Sequence, residues 1–379
     1  MAYNTETRML NLETIITPTL LLDEQKARQH IALMAKKAGT QSIRLRPHFK
    51  THQSATIGEW FRQEGITRIT CSSIQMAEYF ASAGWKDIQV AFPFNLREIT
   101  RANNLLQTIH LELLVESLST VEYLQDYMSL QTDVWVKIDT GAGRTGISSD
   151  DYKRISVVCQ AILESRNLLL RGLLTHAGHT YRARTREHAV ATYQASITQL
   201  NQVRNKLKKD GIHDLEISAG DTPGCTMADD LGIVDEIRPG NFIFFDATQA
   251  AIGSCNVKDI AVTVACPVVA VHPDKEKVVV YGGAVHLSSE YYLEGDHKVY
   301  GLVTMLNPQG WGTPISGAYV SSLSQEHGIL HVPKPTINAI NPGDLLAILP
   351  AHSCITVSCL KKYLTLTGET ITTMNCSGV

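Results

Sequence analysis

The sequence predicts an α/β barrel followed by an all-β domain. Three observations carry that expectation: alternating strand-like and helix-like patterns from Thr17 to about Asp246, loss of the helical patterns after Gly253, and a length of 379 residues. Repeated βα units build parallel sheets. A chain of 41.7 kDa exceeds one common domain, so two domains, or a barrel with an appendage, are expected. With 44% hydrophobic and 19% charged residues the chain can bury a sizeable core and does not have a disordered composition.

The strand candidates of the first part are short and rich in β-branched residues: Thr19–Asp23, Ile43–Lys50, Thr67–Ser72, Ile88–Phe92, His110–Glu116, Val134–Asp139, Leu168–His176, Leu215–Ala219 and Glu236–Phe245. Amphipathic segments separate them at Glu24–Lys37, Ile74–Ala83, Leu118–Met128, Ser148–Ser165 and Thr185–Lys209. This count suits a closed (β/α)8 barrel better than a doubly wound open sheet. Beyond the barrel, Ile260–Val271, Lys277–Tyr281, Val299–Met305, His331–Val332 and Asp344–Leu349 are β-rich and joined by Pro, Gly and Asn turns. The expected domains are residues 17–253 and 254–379, with residues 1–16 open to inclusion in the second.

Charge and cysteine usage narrow the function. Against 34 Lys+Arg stand 37 Asp+Glu, a net charge of -3 that gives no broad field for a polyanion, so no nucleic acid is expected as a partner. The eight cysteines, Cys71, Cys159, Cys225, Cys255, Cys266, Cys354, Cys359 and Cys376, are scattered through a long chain and read as reduced thiols. The first twenty residues lack a signal-peptide pattern and polar residues interrupt every apolar stretch, so a cytoplasmic location without membrane contact is expected.

Chemistry-bearing residues gather where barrel strands end, the place barrel enzymes put their reacting groups. In Arg46-Pro47-His48-Phe49-Lys50-Thr51-His52, cationic neighbours can depress the pKa of Lys50 and make it a nucleophile toward a carbonyl group. From this segment alone, a solvated strand-end lysine is the favoured reading. Asp139-Thr140-Gly141-Ala142-Gly143-Arg144-Thr145-Gly146 puts a Gly-flanked arginine past another strand, either to donate to a ligand oxygen or to bond turn carbonyls. His176, His179 and Tyr181 cluster after a third strand and shift the weighting towards a site. The turns Ser218-Ala219-Gly220-Asp221-Thr222-Pro223-Gly224 and Arg238-Pro239-Gly240-Asn241 can cradle a phosphate, since glycines let backbone N–H groups approach an anion. In Leu349-Pro350-Ala351-His352-Ser353-Cys354 a predicted strand places His352 and Cys354 on one face, where imidazole and thiolate can share Zn²⁺ and leave positions open; taken alone, the pair reads more readily as a buried Cys beside an ordinary His.

In this order, the motifs RPHFKTH, DTGAGRTG, LLTHAGHTY, SAGDTPG, RPGNFIFFD, SQEHGIL and PAHSC resemble those of metal-dependent D-serine and D-threo-3-hydroxyaspartate dehydratases. That family belongs to the fold-type III pyridoxal 5'-phosphate (PLP) enzymes, related to D-threonine aldolase and, further off, alanine racemase. The resemblance implies a PLP-binding barrel of the alanine racemase type, a C-terminal β-domain and a head-to-tail homodimer. It implies that Lys50 attaches the cofactor and is catalytic, with His48 beside it; that Arg144 donates to the phenolic oxygen; and that His176 lies against the ring near Tyr181. Gly220, Asp221, Thr222, Gly240 and Asn241 would belong to the phosphate turns, and Arg238 would lie near the pyridine nitrogen. His352 and Cys354 match the zinc pair, which would hold Zn²⁺ or another divalent metal, and Cys354 argues for dehydratase because the aldolases typically show His-x-Asp there. The expected reaction is deamination of a small-molecule D-3-hydroxy amino acid, such as D-serine, D-threonine or D-threo-3-hydroxyaspartate, with the D-threonine aldolase reaction as the alternative. One departure stands out: the family's Asp-x-Gly segment reads Val280-Tyr281-Gly282-Gly283-Ala284-Val285-His286 here, without the acidic side chain.

Overall fold

The computed structural model describes residues 10–374, and the chain divides into two compact units. Among the described residues, one comprises those up to His30, Thr51–Ile57 and those from Asn241 on; the other comprises Ile31–Lys50 and Gly58–Gly240.

The second unit is the barrel. Its eight parallel strands follow the order Arg44–Leu45, Glu236–Ile237, Glu216–Ala219, Leu168–Leu174, Thr132–Asp139, His110–Val115, Asp87–Pro93 and Arg68–Cys71. A parallel bridge between His48 and Thr70 links the two ends of that order, with Phe49 N–H donating to Thr70 O at 2.9 Å. The period of two sorts the side chains of each strand: Val134, Val136 and Ile138 share one face, and Trp135, Lys137 and Asp139 share the other. Helix starts are specified locally, because Ser73, Ser117, Asp151 and Thr185 each accept the backbone N–H three residues on.

The other unit is built on a nine-stranded sheet in the order Lys277–Tyr281, His327–His331, Gly310–Leu323, Gly301–Asn307, Leu345–Pro350, Val262–His272, Thr19–Leu22, Lys362–Thr365 and Thr370–Thr372. Val262–His272 also pairs with Lys277–Tyr281, which closes the first six strands into a ring. The structure corrects one strand: Thr19–Leu22, expected to open the barrel, pairs antiparallel with Val262–Ala265 and parallel with Leu364–Thr365. Its run of three fully buried leucines suits the interior of either sheet, so the local pattern does not name the partner. Gly310–Leu323 escapes sequence reading because Gly312, Pro314 and Gly317 interrupt it, and its pairing shifts register where they fall.

Cys71, Cys159, Cys225, Cys255, Cys266, Cys354 and Cys359 are free thiols, and Cys376 lies outside the described residues. Among the described residues no helix is long and apolar enough to cross a membrane.

Candidate active site

The C-terminal ends of the barrel strands bring most of the predicted residues together. Lys50 N–H donates to His48 Nδ1 at 3.4 Å. Burial first, then the charges of Lys50, Arg238, His176 and Arg144, hold the His48 imidazole well below its usual pKa. His176 is lowered by burial and then by the charge of Lys50, even though its Nδ1 bonds Gly220 O at 2.9 Å. The Tyr181 ring stands 6.2 Å from that of His176. Arg238 is buried; its Nε donates to Ser218 Oγ at 2.7 Å and its Nη2 to Thr175 O at 2.5 Å. These neutral acceptors do not offset desolvation, which pulls the guanidinium down to about 10.

Lys137, which motif reading passed over, lies among the same charges. It is 5% exposed, and burial, then the charges of Arg238 and Arg144, depress its amine to about 7. A lysine inside the otherwise apolar run Val134–Ile138 was the available signal. The nearby carboxylates offer little compensation. Asp139 accepts the backbone N–H groups of Gly141, Ala142 and Gly143, and Glu116 accepts that of Gly146, so both shape the loop carrying Arg144.

The two glycine turns divide their duties. Gly220 has φ +135°, and a Cβ there would come within 2.7 Å of Arg238 N, so only glycine lets the turn lie against the neighbouring strand end. The Asp221 carboxylate caps the short helix Thr222–Met227: Oδ1 accepts from Gly224 N at 2.6 Å and Thr180 Oγ1 at 2.7 Å. Asp221 therefore shapes the turn with its side chain, while Gly220 and buried Thr222 supply its backbone. Asn241 belongs to the other compact unit. Its amide donates to Asp246 Oδ2 at 2.7 Å, Ser353 Oγ at 2.9 Å and Cys354 Sγ at 3.5 Å.

The expected strand through His352 and Cys354 ends at Pro350; Ser353–Leu360 is a helix with His352 at its N-cap. The pair thus sits at a strand-to-helix junction. His352 is in extended conformation and Cys354 lies in the first helical turn, an arrangement that still brings the two side chains into a hydrogen bond. Burial opposes a charge on His352, but the Cys354 sulfur, then Asp246 and Glu290, raise the imidazole to about 9. An imidazole nitrogen and a sulfur side by side are both donors that zinc accepts, so the donor set fits zinc. Gly282 has no room for an acidic side chain, since a Cβ there would lie 2.5 Å from Cys266 Sγ. His286, the histidine of that departing segment, accepts the Gly283 N–H at 3.3 Å.

A third group, Asp87, His110 and Glu112, has metal-like spacing at the opposite end of the barrel. Arg46 already occupies its centre, with Nη1 2.6 Å from Asp87, Nη2 2.7 Å from Glu112 and Nε 2.7 Å from Glu236. Hydrogen bonds to Asp133 and Asp87 raise His110 to about 10, and a protonated imidazole has no lone pair for a metal. This group is an ion-pair network.

The upper cluster fits PLP: a lysine beside the cationic centres, a turn that only glycine can make, and positive charge in excess for a phosphate. The family profile described as Alanine racemase, N-terminal domain matches residues 22–248, and a serine dehydratase domain profile matches residues 261–366. D-threo-3-hydroxyaspartate dehydratase of Delftia sp. (strain HT23) is 29% identical over 367 residues, covering 94% of this chain and 96% of its own. D-serine dehydratase of Dictyostelium discoideum is 25% identical, covering 93% and 94%. A solved structure of the Delftia enzyme matches with a TM-score of 0.87 at 28% identity over 95% of this chain and 98% of that one. D-threonine aldolase from Filomicrobium marinum, at 20% identity over 94% and 95%, shares the fold with a TM-score of 0.81. With more than half of its length matched by the first profile, the chain belongs to the alanine racemase N-terminal domain family, its barrel followed by a serine dehydratase domain.

Proposed function

We propose that this protein is a PLP- and zinc-dependent lyase that converts a D-3-hydroxy amino acid into a 2-oxo acid and ammonia. The observation that carries the reading is the pairing of a cationic cluster around Lys50 with the His352–Cys354 donor pair, because racemisation needs no ligand for a β-hydroxyl. The relatives named as D-threo-3-hydroxyaspartate and D-serine dehydratases, alike over nearly the whole chain, support it. When bound, PLP supplies an electron sink at Cα and the metal a Lewis acid for an oxygen leaving group.

The chain's own residues do the rest. Lys50 attaches the cofactor, and its amine, once displaced by the substrate amine, takes the Cα proton. His176, oriented by Gly220 O and kept neutral by burial, presents an uncharged ring, and Arg144 and Arg238 hold positive charge about the cofactor's oxygens and ring. The backbone of Gly220 and Thr222 would bind the phosphate, joined by the turn at Gly240. His352 and Cys354 hold the metal. Lys50 and Thr51 are consecutive in the chain, and Thr51 Oγ1 lies 3.3 Å from Cys354 Sγ. The same reading carries a homodimer and a cytoplasmic location, to be checked by sedimentation and by fractionation.

Product analysis of the PLP- and zinc-loaded protein with D-serine, D-threonine and D-threo-3-hydroxyaspartate tests the reading. A 2-oxo acid with equimolar ammonia is expected. Glycine with an aldehyde would replace it with the aldolase reaction, and L-isomer alone with racemisation.

A further inference from the structure

The residues around Cys354 carry an inference that rests on the reading of His352 and Cys354 as metal donors. Thr51, Asn241, Asp246, Ser353 and Cys354 lie in one compact unit, and all five are buried. The Thr51 hydroxyl is 3.3 Å from Cys354 Sγ and the Asn241 amide nitrogen is 3.5 Å from it. Asp246 fixes this arrangement: its Oδ2 accepts from Asn241 Nδ2 at 2.7 Å and from Ser353 N at 3.1 Å, while its Oδ1 accepts from Gln249 N at 2.9 Å. One carboxylate therefore holds both the amide that reaches the sulfur and the first turn of the helix that bears it.

A thiolate that binds a metal has no proton to give. In the ligating form the Thr51 hydroxyl must be the donor and the sulfur the acceptor. Hydrogen bonds to a buried thiolate offset part of its desolvation and hold the sulfur in one orientation, as outer partners of metal ligands do. We propose that Thr51, supported by the Asp246–Asn241 pair, is a positioning residue for the metal-binding thiolate of Cys354, acting through the sulfur and touching neither metal nor substrate. The same residue follows Lys50 in the chain, so the turn that carries the cofactor lysine also carries the donor that orients the metal thiolate.

The test uses PLP-loaded protein and three variants: Thr51→Val, which keeps the shape and removes the hydroxyl, Thr51→Ser, which restores it, and Cys354→Ser as the control that removes the ligand. Zn²⁺ affinity is measured by calorimetry and the sulfur's electronic state by the resonance position of bound Cd²⁺. The expected result is roughly a tenfold to hundredfold loss of affinity and a displaced Cd²⁺ resonance in Thr51→Val, recovery of both in Thr51→Ser, and unchanged PLP absorbance in each. Parent-like affinity and resonance in Thr51→Val would overturn the positioning role while leaving the metal pair intact. Parent protein whose Zn²⁺ affinity equals that of Cys354→Ser would overturn the metal reading and this inference together. Should Thr51→Val not fold, Thr51→Ala carries the same comparison.

Discussion

At the N-terminal end of the barrel strands Arg46 lies among Asp87, Glu112 and Glu236, whereas at the C-terminal end Lys50, Lys137, Arg144 and Arg238 share one region with few free carboxylates. The same strands build both ends, and the arginine of one and the lysine of the other are only four residues apart in sequence. At the first end desolvation is more than repaid by three anions, and the guanidinium is held firmly charged. At the second, desolvation and mutual repulsion push His48, His176, Lys137 and Arg238 toward their neutral forms. Compensated charge marks the scaffold, and uncompensated charge of one sign marks the place where an anionic ligand belongs.

Substitutions at the two ends should therefore separate chemistry from stability. The largest effect is expected from Lys50→Ala, which should abolish turnover and the borohydride-sensitive visible absorbance of the PLP-loaded protein while leaving the urea midpoint of the apoprotein nearly unchanged. A chromophore that borohydride still bleaches, on another lysine, would break the assignment. Next comes Arg46→Met, which leaves Glu112 and Glu236 buried without their cation and should cost about 3–5 kcal/mol in urea unfolding. A loss below about 1 kcal/mol would show that the lower network is not the scaffold element described here.

Lys137→Met sharpens the contrast through pH. The folded chain holds Lys137 near 7 against an ordinary value of 10.5, so between those limits the unfolded chain keeps a proton that the folded chain has released. Apoprotein stability contributed by this group therefore rises with pH across that window, and the variant should lose the rise. Parallel pH profiles for parent and variant would place Lys137 outside the electrostatic cluster. The smallest effect belongs to Asp221→Asn. Burial lifts this carboxyl to about 6 despite its bonds from Gly224 and Thr180, so the folded state retains a proton between about 3.8 and 6 that the unfolded state gives up. Stability from Asp221 falls as pH rises through that interval; asparagine, an equally good cap, should flatten the profile with less than about 1 kcal/mol lost at pH 5.

Most of the barrel and its upper residues could be read from the chain because their signals are local. A β-branched run followed by a capped amphipathic helix declares a βα unit, and Gly220, Lys50 and Arg144 follow strand ends that periodicity locates to within a few residues. The adjacency of His352 and Cys354 was legible for a different reason: a His and a Cys two positions apart remain neighbours whether the backbone there is extended or turning into a helix. The expected strand proved to be a junction without separating them.

What the sequence by itself determined is the alternation of elements, the start of the helices capped by Ser73, Ser117, Asp151 and Thr185, and the identity of the short-range chemical groups, since each depends on residues within a turn or two of one another. Only the tertiary structure decided that Thr19–Leu22 joins the antiparallel sheet, that Asn241 turns its amide to Asp246 and Cys354, and that Thr51 meets a sulfur 303 positions away. The physical reason is that a leucine run, an amide and a hydroxyl are each satisfied by many partners. Which one they meet is set by packing and by the need to pair buried polar groups across the whole chain, quantities with no local signature in sequence.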